Sequence, residues 1–192
     1  MHDFKNWLEN NDNLIKLYHG GYLWDQPQIL PSKKNRYEHG TGIYLTTNYN
    51  TARKYAKGNK IVLAVFIDPN FTLIDKIQIE PKKIIDFLNS IKIRNKQNII
   101  QDILNYQQRT QKPTVPLSIL NNLVVNYEAA SGKISLLINQ FITQNGADAE
   151  IDKKYDEDWL IVFNTKIIKH WEKTKDFQDA PRIPTNDANN LQ

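Results

Sequence analysis

GTGIYLTTNYNTARKYA, residues 40–56, decides how the rest of the chain is read. Gly40 and Gly42 punctuate the end of a loop, and GIYLTT (42–47) is a short strand. The run from Asn48 to Gly58 is a helix. Asn48 or Asn50 caps it, because a short side-chain oxygen accepts from the free N–H groups of the first turn. Ala52, Tyr55 and Ala56 lie on one face, and Gly58 ends it. The segment thus offers a strand aromatic, Tyr44, and a helix aromatic eleven residues later, Tyr55.

Upstream, LIKLYHGG (14–21) is a strand that runs into a Gly-Gly turn, with His19 at its end. DQPQILPSKKNRYEHGTG (25–42) is a loop long enough to be functional. Downstream, IVLAVFID (61–68) is a short, β-branched apolar run of the kind that forms a buried strand. FTLID (71–75) is expected to be another. From Pro81 to Gly146 the period changes. Ile84/Leu88, Ile99/Ile103, Leu120/Val124 and Ile134/Ile138 recur at helical spacing, which predicts an insertion of three or four helices packed by those stripes. WLIVFN (159–164) is the last clear strand, and IIKHWEK (167–173) a short helix or edge segment. The tail from Ala180 has no apolar period and is expected to be disordered. The domain is then residues 1–179 with an insertion at about 81–146, and 180–192 is tail. Strands at both ends with helices between them are not βαβ alternation, so the class is α+β. Neither GxGxxG nor a P-loop is present, so a dinucleotide would not bind in the Rossmann manner.

A length of 192 residues suits one domain. The net charge of +4 is scattered rather than clustered, which argues against a dedicated nucleic-acid stripe. It still suits a pocket that accepts a pyrophosphate. The absence of cysteine excludes disulfides, thiolate zinc sites and thiol nucleophiles. No apolar run approaches the roughly 20 residues needed to cross a membrane, and the N-terminus does not read as a secretory signal. The expected compartment is the cytoplasm, with delivery into another cell by a route lacking a classical signal left open. The abundance of Asn, Lys and Ile suggests an AT-rich bacterial or phage genome.

Three segments, in order, resemble the diphtheria-toxin/PARP-like ADP-ribosyltransferases: LYHGG with His19, GTGIYLTTNYNTARKYA with Tyr44 and Tyr55, and DEDWLIVFN, an acidic cluster leading into a strand. The resemblance covers the two ends of the chain and not its helical middle. It implies a split antiparallel sheet around an NAD cleft, no metal, and transfer of ADP-ribose to a macromolecular acceptor with release of nicotinamide. The acceptor is expected to be a protein of a host or target cell, as for a toxin or effector, and nucleic acid is kept open. His19 would bond a ribose hydroxyl, Gly20 would offer its backbone to the carboxamide, and Tyr44 and Tyr55 would flank the nicotinamide. Thr46 joins them as a cofactor-side residue. Flat rings need aromatic walls, and a close backbone approach needs a residue without a side chain.

Breaking the nicotinamide–ribose bond builds positive charge that a carboxylate stabilises. The family carries a glutamate for this on its late strand. The position that aligns with it here is Trp159, so the chain departs from the pattern. Glu157 shares a face with Trp159 because side chains alternate along a strand. It ranks first as the catalytic residue, Asp158 second and Asp156 third. His2, His39 and His170 lack such context and read as surface or packing residues; the tryptophans read as packing, with a place facing the cofactor loop left open for Trp24. Lys34 and Arg36 read as solvated loop charges or pyrophosphate contacts. Two other readings stay open: an NAD glycohydrolase or nucleic-acid modifier on the same fold, and a non-catalytic module that binds NAD, ADP-ribose or a protein.

Overall fold

The computed structural model describes residues 13–33, 39–56, 58, 61–174 and 177–184. Its strands are β1 (Ile15–Gly21), β2 (Ile43–Thr46), β3 (Ile61–Ile67), β4 (Gln78–Ile79), β5 (Val115–Pro116), β6 (Ala149–Lys153), β7 (Asp158–Val162) and β8 (Ile168–Lys173). Its helices are α1 (Tyr49–Tyr55), α2 (Pro81–Ser90), α3 (Lys96–Thr110), α4 (Ser118–Asn126) and α5 (Lys133–Gln144). The chain is a mixed α+β structure. Its six-stranded sheet has the order β6-β7-β2-β1-β3-β8, and each neighbouring pair is antiparallel.

The sheet is unevenly knit. β1 and β3 pair along their whole length, from Ile15↔Ile67 to Gly21↔Ile61. β2 pairs with β7 from Ile43↔Val162 to Thr46↔Trp159. Between β1 and β2 the only register pair is Tyr18↔Thr46. Two three-stranded halves, β6-β7-β2 and β1-β3-β8, therefore meet at one point and separate beyond it.

Alternation explains why β3 reads as a continuous apolar run. Leu63, Val65 and Ile67 join Leu17, Leu45, Leu160 and Val162 in a core on one face. Val62, Ala64 and Phe66 pack on the other face with Tyr18 and with Tyr49 and Ala52 of α1. Asn48 caps α1 through its side-chain oxygen, which accepts from Thr51 N at 2.8 Å.

The four helices of the insertion bury Ile84, Leu88, Ile99, Ile103, Leu120, Val124, Ile138 and Ile142 in a third core. That core is continuous with the sheet through Ile161 and Phe163, and Tyr44 and Trp159 pack at its border. Buried amides fasten the helical layer to the strand ends. Asn139 Nδ2 donates to the Thr41 carbonyl at 3.1 Å and to the Phe163 carbonyl at 3.3 Å.

Two expectations are corrected, for FTLID and for the tail, and two segments are settled. FTLID is not a strand. Ile74, 1% exposed, turns into the helical core and starts a 3-10 turn at Ile74–Lys76, leaving Leu73 one isolated parallel bridge to Ala149. AEIDK, left unassigned by the sequence, is edge strand β6. Of the two alternatives for IIKHWEK the edge segment is the one found: Ile168–Lys173 is edge strand β8, with a register shift against β3 at Phe66/Ile67. Residues 180–184 of the expected tail are packed against the sheet. Ala180 N donates to the Thr47 carbonyl at 2.8 Å, and Ile183 is 1% exposed in the core beneath the sheet. Residues 185–192 lie outside the described residues, as do His2, Trp7, Lys34 and Arg36.

Candidate functional site

The separation of β1 from β2 opens a cleft of about 580 Å³, lined by His19, Gly21, Trp24, Gln28, Gly42 and Tyr44 among others. That volume is typical of small-molecule pockets. His19 bridges the opening at its base. Its Nδ1 lies 3.0 Å from the Tyr44 carbonyl oxygen, so a side chain spans the two strands where the ladder has ended. A carbonyl only accepts, so Nδ1 carries the hydrogen and Nε2 is left with a lone pair. Burial pushes the His19 pKa below its ordinary value, against the raising effect of the Tyr44 bond. The ring is held as the neutral tautomer, with an acceptor nitrogen. Trp24 covers it, ring centroids 4.7 Å apart, and Trp171 Nε1 fixes Trp24 by donating to its carbonyl at 3.1 Å.

Both glycines after His19 answer to space. A Cβ on Gly21 would stand 2.7 Å from His19 Nε2. A Cβ on Gly20 would overlap the Ala52 carbonyl oxygen of α1 and stand 2.9 Å from Ala56 N. Helix α1 is thus seated directly on the β1 backbone. Tyr55 is 52% exposed and meets Trp159 edge to face, centroids 5.7 Å apart.

Tyr44 lies on the opposite face from His19. Its hydroxyl donates to the Gly40 carbonyl at 2.7 Å and accepts from His39 N at 3.1 Å. These bonds pin the end of the 25–42 loop to β2. The face around Tyr44 is set by register. Tyr44, Ile161 and Glu150 form one row across β2, β7 and β6; Thr46, Trp159 and Asp152 form the next. Thr46 is internally engaged: its hydroxyl donates to Glu157 Oε2 at 2.8 Å and accepts from Asn48 N at 3.1 Å. Glu157 therefore sits on the Trp159 face, as alternation requires.

Asp158 does not. It is fully buried on the other face, where Oδ2 accepts from Ile183 N at 2.8 Å and Arg182 Nη2 lies 2.6 Å from Oδ1. Its backbone N–H donates to Thr47 Oγ1 at 2.9 Å. Asp158 anchors the C-terminal segment, and its side chain is directed away from Tyr44, Tyr55 and Trp159. Asp156 is exposed in the β6–β7 turn.

A cluster that sequence reasoning passed over lies beside these residues. His39, taken for a surface histidine, places Nε2 3.1 Å from Asp152 Oδ2 and Nδ1 3.6 Å from Glu150 Oε1. Asn121 of α4, 1% exposed, donates to Glu150 Oε2 at 2.8 Å and to the His39 carbonyl at 3.2 Å. Gly40 has φ +82°, and a Cβ there would strike the Asn121 amide, so only glycine lets the loop pass this close. The bond to Glu150 raises the His39 pKa most; burial opposes it, the Asp152 and Glu150 charges add to it, and Lys154 subtracts. The available signal was the alternation in AEIDK, which puts Glu150 and Asp152 on one face once the segment is a strand.

Among the described residues no group of His, Asp and Glu side chains converges to hold a metal ion, and no helix is long and apolar enough to cross a membrane. No family model, no curated protein and no solved structure matches the chain.

Proposed function

We propose that the cleft binds NAD and that the chain is an ADP-ribosyltransferase, moving ADP-ribose to a macromolecular acceptor, a protein by preference, and releasing nicotinamide. The observation that carries the reading is the His19–Tyr44 bridge across the opening between the two halves of the sheet. A neutral imidazole with a free acceptor nitrogen suits a ribose hydroxyl, which needs an acceptor for its proton. Gly20 and Gly21, at the end of β1, leave backbone at the cleft wall for a carboxamide. Tyr55, half exposed against Trp159, supplies an aromatic edge for a flat ring. The resemblance implies a split antiparallel sheet, and the coarse α+β arrangement with its antiparallel six-stranded sheet agrees with it.

In this reaction the nicotinamide–ribose bond breaks with its electron pair leaving on nicotinamide, and the acceptor heteroatom bonds the anomeric carbon as it loses a proton. A carboxylate on the Trp159 face would neutralise the developing charge. Glu157 is on that face and Asp158 is not. A second reading, a module that binds NAD without turning it over, is favoured by one observation: Trp159 stands where the resemblance expects glutamate.

Calorimetric titration with NAD tests the binding step. The native chain is expected to bind, and His19→Ala to bind about tenfold more weakly, as for loss of one hydrogen bond with its packing. Equal affinity in the two proteins removes His19 from the site.

A further inference from the structure

In the NAD reading one nitrogen, His19 Nε2, must stand ready as an acceptor. A single hydrogen bond does not secure that. The Tyr44 carbonyl holds Nδ1 at 3.0 Å, but the last side-chain torsion of a histidine is soft, and one contact fixes an atom rather than the plane of a ring. A ring that turns over loses the bond, and with it the tautomer that keeps the lone pair on Nε2. A second contact has to hold the plane.

Trp24 is placed to do so. Of the three residues that follow β1, two turn outward: Tyr22 is 70% and Leu23 61% exposed. Trp24 turns back, packs on the core beneath the sheet and lays its indole on the imidazole, centroids 4.7 Å apart and planes 40° to each other. It lines the same cleft as His19. Its own position is fixed from the edge of the sheet. Trp171 of β8 stands opposite Val65 of β3, donates from Nε1 to the Trp24 carbonyl at 3.1 Å and meets the Trp24 ring at 6.4 Å, tilted by 59°. Nε2 itself lies beside Gly21, where a Cβ would stand 2.7 Å from it. The missing side chain keeps the approach to that nitrogen clear.

We propose that Trp24 is a positioning residue for His19, with Trp171 as the support of Trp24. This inference rests on the NAD reading. The stacked indole holds the imidazole in the plane where Nδ1–H stays on the Tyr44 carbonyl. With Nδ1 so occupied, Nε2 keeps its lone pair for the ribose hydroxyl. A binding group whose rotamer is locked by packing spares the ligand the cost of ordering it. Edge strand β8 thereby acquires a part in the cleft, because Trp171 comes from it. Trp24 acts through His19, so its contribution disappears when His19 is removed.

The test follows NAD affinity by calorimetry and the His19 tautomer by NMR of its ring nitrogens. It uses the full chain, Trp24→Ala, Trp24→Phe, Trp171→Phe, His19→Ala and the double variant His19→Ala with Trp24→Ala. Circular dichroism melts confirm that each is folded. The native ring should be the Nδ1–H tautomer. Trp24→Ala should turn it into a mixture and weaken NAD binding about tenfold, as for loss of His19 itself. The double variant should bind within about twofold of His19→Ala, whereas independent contributions would multiply to about a hundredfold. Trp24→Phe, which returns a flat ring to the imidazole, should recover most of the loss. Trp171→Phe removes the N–H from the Trp24 carbonyl without opening a cavity beside His19, and should weaken binding about threefold. It carries the test if Trp24→Ala does not fold. An unchanged tautomer in Trp24→Ala and Trp171→Phe, or losses that multiply in the double variant, overturns the inference and leaves the NAD reading standing. A native chain that does not bind NAD overturns the reading, and the inference with it.

Discussion

Gly20→Ala should destabilise the chain by about 3 kcal/mol or more, a large share of the 5–15 kcal/mol that holds an ordinary domain together. The reason is local and rigid. The added methyl would overlap the Ala52 carbonyl oxygen and lie 2.7 Å from the Ala52 carbonyl carbon and 2.9 Å from Ala56 N. All three are backbone atoms of a helical turn, in which Ala56 N donates to the Ala52 carbonyl at 3.1 Å. No side-chain rotation relieves the clash. Either α1 lifts off, exposing Ala52, Tyr49 and Tyr18, or β1 moves against β3, to which it is paired along its whole length. Urea unfolding monitored by tryptophan fluorescence should show a lower midpoint at unchanged slope. An unchanged midpoint would mean that α1 is not seated on β1.

Asp158→Ala should cost about 2–3 kcal/mol, through loss of a charge-assisted bond to a buried backbone N–H. Asp158 is fully buried, and its removal leaves Ile183 N without its acceptor. The ion pair adds less, because Arg182 is 46% exposed and can return to water. The sharper signature is positional. Asp158 and the Thr47 carbonyl tie down residues 180–183, so trypsin should cut at Arg182 much faster in the variant than in the native chain. Equal cleavage rates would show that Ile183 packing and the remaining bonds, from Arg182 to the Lys154 and Tyr155 carbonyls and from Lys153 to the Ile183 carbonyl, hold the segment without Asp158.

Much of this was legible in the sequence, and the failures have physical causes. The β1, β2, β3 and β7 segments announce themselves through apolar content or through Gly and Asn punctuation. The helical stripes are those that fill the third core. FTLID misled because a five-residue apolar run says nothing about which core claims it, and Ile74 belongs to the helices. β6 was missed because Glu150 and Asp152, which alternate with Ala149 and Ile151, are acidic and therefore look like part of a solvated turn. His39 was dismissed because it sits in a loop; its partners are on β6, more than a hundred residues away, and no local pattern reports them. Asp158 was kept as a catalytic candidate because alternation alone cannot reveal that Arg182 and Ile183 return to cover it. Residues 180–183, with Ile183 the one large apolar side chain among them, are held by that side chain, by the backbone N–H groups of Ala180 and Ile183 and by the Arg182 guanidinium. His19 and Tyr44 are brought together through a side chain meeting a backbone carbonyl, which the order of the motifs suggests and the register completes.

The most direct test of the account is incubation of the native chain with adenine-labelled NAD and cell lysate, following label on macromolecules and free nicotinamide together, with His19→Ala beside it. The account predicts nicotinamide release coupled to a labelled macromolecule, both reduced about tenfold or more in His19→Ala. Folded protein that transfers no label and frees no nicotinamide would contradict it.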